Sequence, residues 1–221
     1  MGIPVLVLGE SGSGKSASLR NFQPGEIGII NVAGKPLPFR NRLSVYNCDK
    51  YHDIALEGEK KSLPGIFTAV RSSKAKSIVI DDCQYLMANE YMRRSGETGY
   101  QKFTDIGKNF WELVRLVGEL PTDIIVYFLG HVERDADGHE KFKTIGKLLD
   151  EKITVEGMFT IVLRAQTADG KYTFRTQTNG QDTAKSPMEM FPALEIDNDL
   201  KAVDAIIRDY YGLKSNNKEE K

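Results

Sequence analysis

A short run without a polar side chain, Val5-Leu6-Val7-Leu8, breaks directly into Gly9-Glu10-Ser11-Gly12-Ser13-Gly14-Lys15-Ser16. No other stretch restricts the fold as much. An unbroken apolar run of this length reads as a strand buried on both faces, which calls for a parallel sheet covered by helices. The eight residues after it match G-x-x-x-x-G-K-[ST] without a gap. Three glycines let the backbone curl so that several N–H groups converge, and a following helix adds its positive end. Lysine contributes a point charge and serine a hydroxyl. That donor set suits a chain of phosphates with Mg²⁺. Gly9, Glu10, Ser11, Gly12, Ser13, Gly14, Lys15 and Ser16, with Ala17 just beyond, are therefore the candidate nucleotide-binding residues.

Further strands are expected at Ile27–Val32, at Ser77–Asp82 as a buried strand and at Ile124–Leu129 as a continuous apolar run, with a short strand at Leu43–Tyr46. A helix-compatible stretch runs from the glycine-rich loop to about Phe22, and two helices are expected after Tyr46, the second at Leu63–Arg71. Tyr85–Arg94 and Leu200–Tyr211 also read as helices, and Phe103, Ile106, Phe110, Val114 and Val117 form one apolar stripe that Pro121 ends. Glu133–Lys143 reads as an exposed polar loop. Phe159–Ala165 and Tyr172–Thr178 flank Ala168-Asp169-Gly170-Lys171, a hairpin signal. The expected architecture is α/β: a mostly parallel sheet flanked by helices, with an antiparallel C-terminal hairpin at its edge. Residues 1–213 are expected to form one domain, with a disordered polar tail over 214–221.

Composition excludes several classes. Thirty Lys and Arg against 31 Asp and Glu leave a net charge of −1, which is not that of a histone-like polycation. No run approaches the roughly 18 apolar residues of a membrane span. Met1-Gly2-Ile3-Pro4 leads straight into a strand without a basic n-region, and two cysteines, Cys48 and Cys83, are too few for a disulfide framework. A cytoplasmic location is expected. Neither thiol has a catalytic His/Asn arrangement, and His52, His131 and His139 lack metal-ligand spacing.

Ser77-Ile78-Val79-Ile80-Asp81-Asp82 delivers two carboxylates to a strand end. Asp81, with Ser16, is the candidate for holding Mg²⁺. Asp82 reads either as the group that polarises an attacking water or as the cap of the next helix. His131, just past an apolar strand, is placed to sense a terminal phosphate, or is a surface histidine. Lys185, in Thr183-Ala184-Lys185-Ser186-Pro187, is either solvated surface or a cation reaching a neighbouring subunit's phosphate. Arg164 and Arg175 on the hairpin are weaker candidates for the same task. With Lys15, the residues Asp82, His131 and Lys185 make up the candidate catalytic set.

Together, Gly9–Ser16, Ser77–Asp82, Phe128-Leu129-Gly130-His131-Val132-Glu133-Arg134 and Ala184-Lys185-Ser186-Pro187 resemble the RecA-like branch of P-loop ATPases. The likeness is strongest to phage-encoded nucleotide-binding proteins with little beyond a RecA core, some of whose relatives are single-strand annealing recombinases. The resemblance implies ATP, Mg²⁺, head-to-tail homo-oligomers, single-stranded DNA as partner and the cytoplasm of a bacterial host. Lys185 would match the basic residue that acts across the subunit interface. Two departures stand out. Proteins of this type carry a glutamate after the second strand as water activator, whereas Asn31-Val32-Ala33-Gly34-Lys35 offers none. With the first strand starting at residue 3, no segment for the filament contact many relatives use is expected ahead of it, so the resemblance does not assure a filament.

A DNA-facing surface is expected around Arg93–Lys108, where Arg93, Arg94, Lys102 and Lys108 are interleaved with Tyr91 and Tyr100. Arg71, Lys74 and Lys76 form a second basic cluster. Two competing functions remain at this stage. One is a small-molecule or nucleotide kinase, which also pairs such a loop with an acid; the other is an ATP-gated interaction module that hardly hydrolyses.

Overall fold

The computed structural model describes residues 1–55 and 62–214, with residue 150 described by its backbone alone. Strand β1 (Ile3–Gly9) sits in the middle of a sheet that also contains β2 (Ile27–Asn31), β3 (Val45–Asn47), β6 (Ser77–Asp81), β7 (Ile125–Arg134), β9 (Ile161–Ala168), β10 (Lys171–Arg175) and β11 (Glu195–Asp197). The order is β11-β10-β9-β1-β7-β6-β2-β3, and along that path only β10 runs against its neighbours.

Strict alternation in the central strands sorts their side chains into two layers. Leu6, Leu8, Ile30, Ile78, Ile80, Val126 and Phe128 pack on one face against α1 (Ile66–Ser72), α2 (Tyr85–Arg93) and α3 (Gln101–Val117). Val5, Val7, Ile29, Val79, Tyr127 and Leu129 face the other way, onto a 3-10 helix (Ser16–Asn21) and α4 (Leu200–Tyr210). Val5, Leu6 and Val7 are fully buried, each contributing roughly 1.5–3 kcal/mol by leaving water. Helix α3 turns Ile106, Phe110, Leu113, Val114 and Val117 to the sheet, as its period requires. Helix α4 starts where the Asp199 carboxylate accepts hydrogen bonds from the N–H groups of Lys201 and Ala202.

The expected helical stretch after the glycine-rich loop is a six-residue 3-10 helix, in which the Ser18 hydroxyl donates to the Lys15 carbonyl at 2.6 Å and tightens the turn. Three expectations change. Where the first of two helices was expected, residues up to 63 form the short antiparallel pair β4 (Ile54–Ala55) and β5 (Ser62–Leu63), with 56–61 outside the described residues. Glu133–Lys143 is not an open loop: β7 continues to Arg134 and pairs with β8 (Glu140–Phe142), because Phe142 is buried in a 5.3 Å stack on Phe110. The C-terminal hairpin does not form the edge of the sheet, since β11 pairs with β10 beyond it. Of the expected polar tail, all but Lys214 lies outside the described residues. Among the described residues no helix is long and apolar enough to cross a membrane.

Candidate functional site

Parallel strands bring their carboxyl ends to one edge, where ligands of such sheets bind. In register, Gly9 at the end of β1 pairs with His131 on β7, and Asn31 at the end of β2 pairs with Asp81 at the end of β6. Four chain segments remote in sequence thus meet over a few strand widths.

The Gly9–Ser16 loop is held by the glycines its pattern demands. A Cβ on Gly9 would lie 2.3 Å from Ser13 Oγ and 2.7 Å from the Ala165 carbonyl, so no larger residue fits. Gly12 and Gly14 take φ values of +82° and +90°, a region other residues rarely enter. The Ser13 hydroxyl is buried and has no hydrogen-bond partner among the described residues. Lys15 folds back over the loop: its Nζ donates to the carbonyls of Gly9 and Glu10, both at 2.9 Å. Lys15 is only 6% exposed. Burial pulls its pKa down to about 8 despite the nearby charges of Asp82 and Asp81.

Ser16 Oγ donates to Asp81 Oδ1 at 2.9 Å. Burial, reinforced by the neighbouring Asp82 charge, pushes the Asp81 carboxyl up to about 6. Asp82 adopts a left-handed backbone, φ 59°, unusual for a residue other than glycine. Its two oxygens have separate partners: Oδ1 lies 3.1 Å from His131 Nε2 and Oδ2 is 2.8 Å from Lys35 Nζ. Burial pushes its pKa up, but the hydrogen bonds from His131 and Lys35 outweigh that and hold it near 2. The His131 backbone N–H donates to the side-chain carbonyl of buried Gln84, which fixes the strand end.

The candidates do not all converge. Lys15, Ser16, Asp81, Asp82 and His131 come together. Lys185 does not join them in its own chain: its backbone bridges Val162 on β9, whose partner on β1 is Leu6, about 10 Å below Gly9 along the strand. Arg164 is a largely buried side chain that pairs with Glu140 on β8. Arg134 connects that pair to the loop, 3.2 Å from Glu140 and 3.5 Å from Glu10. Arg175 pairs with Asp182 at 2.8 Å.

Over the expected DNA-facing region, most of the positive charge is matched within the chain. Arg93 bonds Asp49, Arg94 bonds Glu90, Glu97 and Asp105, and Lys108 lies 3.6 Å from Glu112. Lys102 is buried and donates to the Glu97 carbonyl. Tyr91 stacks on Phe103, while Tyr100 stands 87% exposed. In the second basic cluster Lys76 pairs with Asp123, and Arg71 with Glu119.

Lys35 is the residue that sequence reasoning missed. The one available signal was an Asn-x-x-Gly-Lys turn following a buried strand. Beyond it, an open cleft of about 530 Å³ is lined by Asn31, Gly34, Lys35, Asn47, Tyr85 and Asn89, among others. No protein-family model matches the chain, and no curated protein matches it.

Proposed function

We propose that this chain is a RecA-like P-loop ATPase that binds ATP with Mg²⁺, hydrolyses it and acts on single-stranded DNA as a homo-oligomer. The observation that carries the reading is the 2.9 Å contact between Ser16 of the glycine-rich loop and Asp81 at the end of β6. Two cis ligands of an octahedral ion with metal–oxygen bonds near 2.0–2.1 Å stand about 2.9 Å apart, so this hydroxyl and carboxylate fit Mg²⁺. The buried, unpartnered Ser13 hydroxyl and the left-handed glycines fit a loop that closes on phosphate oxygens. Bound there, Mg²⁺ would neutralise charge on the terminal phosphates.

The residues of the chain then divide the work. Backbone N–H groups of the loop hold the phosphates, and Lys15 exchanges its two carbonyl partners for phosphate oxygens. His131 and Asp82, bonded to each other, stand at the strand ends beside the loop and supply proton-handling groups for an attacking water. Lys185 is proposed to serve a neighbouring subunit, and DNA binding rests on the sequence resemblance.

Calorimetry with Mg-ATP tests the first step, and phosphate release with and without single-stranded DNA, across salt concentrations, tests the second. Heat that depends on Lys15, and turnover stimulated by DNA at low salt, are expected. Absence of any heat would end the proposal. A second reading, phosphoryl transfer to a small acceptor, is favoured by the open cleft beyond Lys35, which has room for one. Phosphate appearing on an added nucleoside, with none released free, would select it.

A further inference from the structure

The turn after β2 is built to present one ammonium group. Asn31, the last residue of β2, grips it from both sides: its Oδ1 accepts the Gly34 N–H at 2.9 Å and its Nδ2 donates to the Lys35 carbonyl. Gly34 supplies the left-handed residue the turn needs, with φ +66°. Lys35 then crosses from the end of β2 to the end of β6, where its Nζ meets Asp82 at 2.8 Å and lies 5.4 Å from the centre of the Tyr85 ring.

The same Asp82 carboxylate faces His131 with its other oxygen. An ionised carboxylate only accepts hydrogen bonds, so a neutral His131 must carry its proton on Nε2. Its Nδ1 is then an acceptor, and that atom has no partner among the described residues. Both oxygens of Asp82 are engaged, whereas His131 has a nitrogen to spare.

We infer that Lys35 is a positioning residue: it locks Asp82 so that Asp82 orients His131, and His131 Nδ1, rather than Asp82, takes the proton of the attacking water. The inference rests on the proposed ATPase reading. In the step, the water oxygen bonds to the terminal phosphorus while the bond from that phosphorus to the bridging oxygen breaks. The bridging oxygen leaves with the electron pair on the diphosphate. The water proton passes to Nδ1, and the resulting imidazolium is stabilised by Asp82 until it returns the proton to solvent.

Lys35→Met and Lys35→Arg test this, because the Lys35 side chain is 61% exposed and its loss removes no core. Nitrogen-detected NMR of the His131 ring, assigned with His131→Gln, needs no nucleotide. The wild-type and Arg proteins should show the Nε2–H form, and the Met variant a mixture of tautomers. In turnover, Lys35→Met should lose roughly 10- to 100-fold in kcat with ATP affinity within about threefold of wild type, and Lys35→Arg should recover most of the loss. Unchanged ring signals in Lys35→Met, or unchanged kcat, would overturn the inference. So would a loss of ATP affinity equal to the loss of kcat, which would make Lys35 a phosphate ligand. Wild-type protein that binds no Mg-ATP would refute the ATPase reading and with it the proton step. The ring spectra would still decide whether Lys35 positions His131.

Discussion

Ser16 Oγ and Asp81 Oδ1, 65 residues apart in sequence, are joined by a hydrogen bond of 2.9 Å that reaches from the loop after β1 across β7 to the end of β6. Neither atom is needed to fill the core, and Asp81 is buried at a cost visible in its raised pKa. A divalent cation would relieve that cost.

Asp81→Asn and Ser16→Ala should therefore weaken Mg²⁺-dependent nucleotide binding, the first roughly 100-fold and the second roughly tenfold. Binding measured without the metal should change little. Calorimetry with ATP in Mg²⁺ and in EDTA checks both, and equal losses in the two buffers would separate these residues from the metal.

Lys15→Met should abolish tight nucleotide binding and leave the fold as stable as before, or more stable. The amine is buried and its pKa falls to about 8, so at neutral pH the folded protein still carries the charge, but at a cost the unfolded chain does not bear. Because the unfolded chain holds that proton more tightly, this group's contribution to stability improves as pH rises from about 8 to 10. The apolar methionine removes the penalty. Thermal unfolding checks this. A midpoint lowered by more than about 5 °C would mean that the bonds to Gly9 and Glu10 matter more than desolvation.

The strands that line this site were legible because each is buried on both faces and so reads as an unbroken apolar run, as at Val5–Leu8 and Ile78–Ile80. The hairpin was legible because Asp169 and Gly170 both take positive φ, 51° and 75°, which Asp-Gly favours. Strand β8 was hidden: only Phe142 of its three residues is buried, and its partner Phe110 lies on α3. Lys35 was hidden for a related reason. Its partner is 47 residues away, and no local spacing records a contact made between two strand ends.

In metal-free protein, Asp81 and Asp82 should give opposite pH dependences. Asp81, held near 6, binds a proton in the folded state that the unfolded chain lacks, so stability rises as pH falls from about 6 to 4. Asp82, held near 2, stays ionised when folded, and its contribution, on the order of 2 kcal/mol, is lost as pH falls from about 4 to 2. Melting in EDTA across this range is the measurement. Asp81→Asn should flatten the upper limb relative to wild type and Asp82→Asn the lower one. Parallel profiles for all three proteins would contradict the assignment.

At the other end of the sheet, Asp204 on α4 accepts from the Tyr127 hydroxyl at 2.9 Å, from the Ser77 hydroxyl and from Arg208 Nε at 2.7 Å. Arg208 also donates to the carbonyls of Lys76, Asp123 and Lys214, and both charged side chains are 4% exposed. Asp204→Ala leaves a buried guanidinium without its counter-charge, which costs roughly 3–5 kcal/mol. Removing both charges, as Asp204→Leu with Arg208→Met, should cost markedly less, because the pair's desolvation is then avoided. Urea unfolding of the single and double variants measures the difference. Ser77 begins β6 and Asp81 ends it, about 13 Å apart along the strand, so nucleotide affinity should be unchanged in whichever variant stays folded. A double variant as unstable as Asp204→Ala would show that the network's geometry, rather than the stranded charge, holds α4 to the sheet.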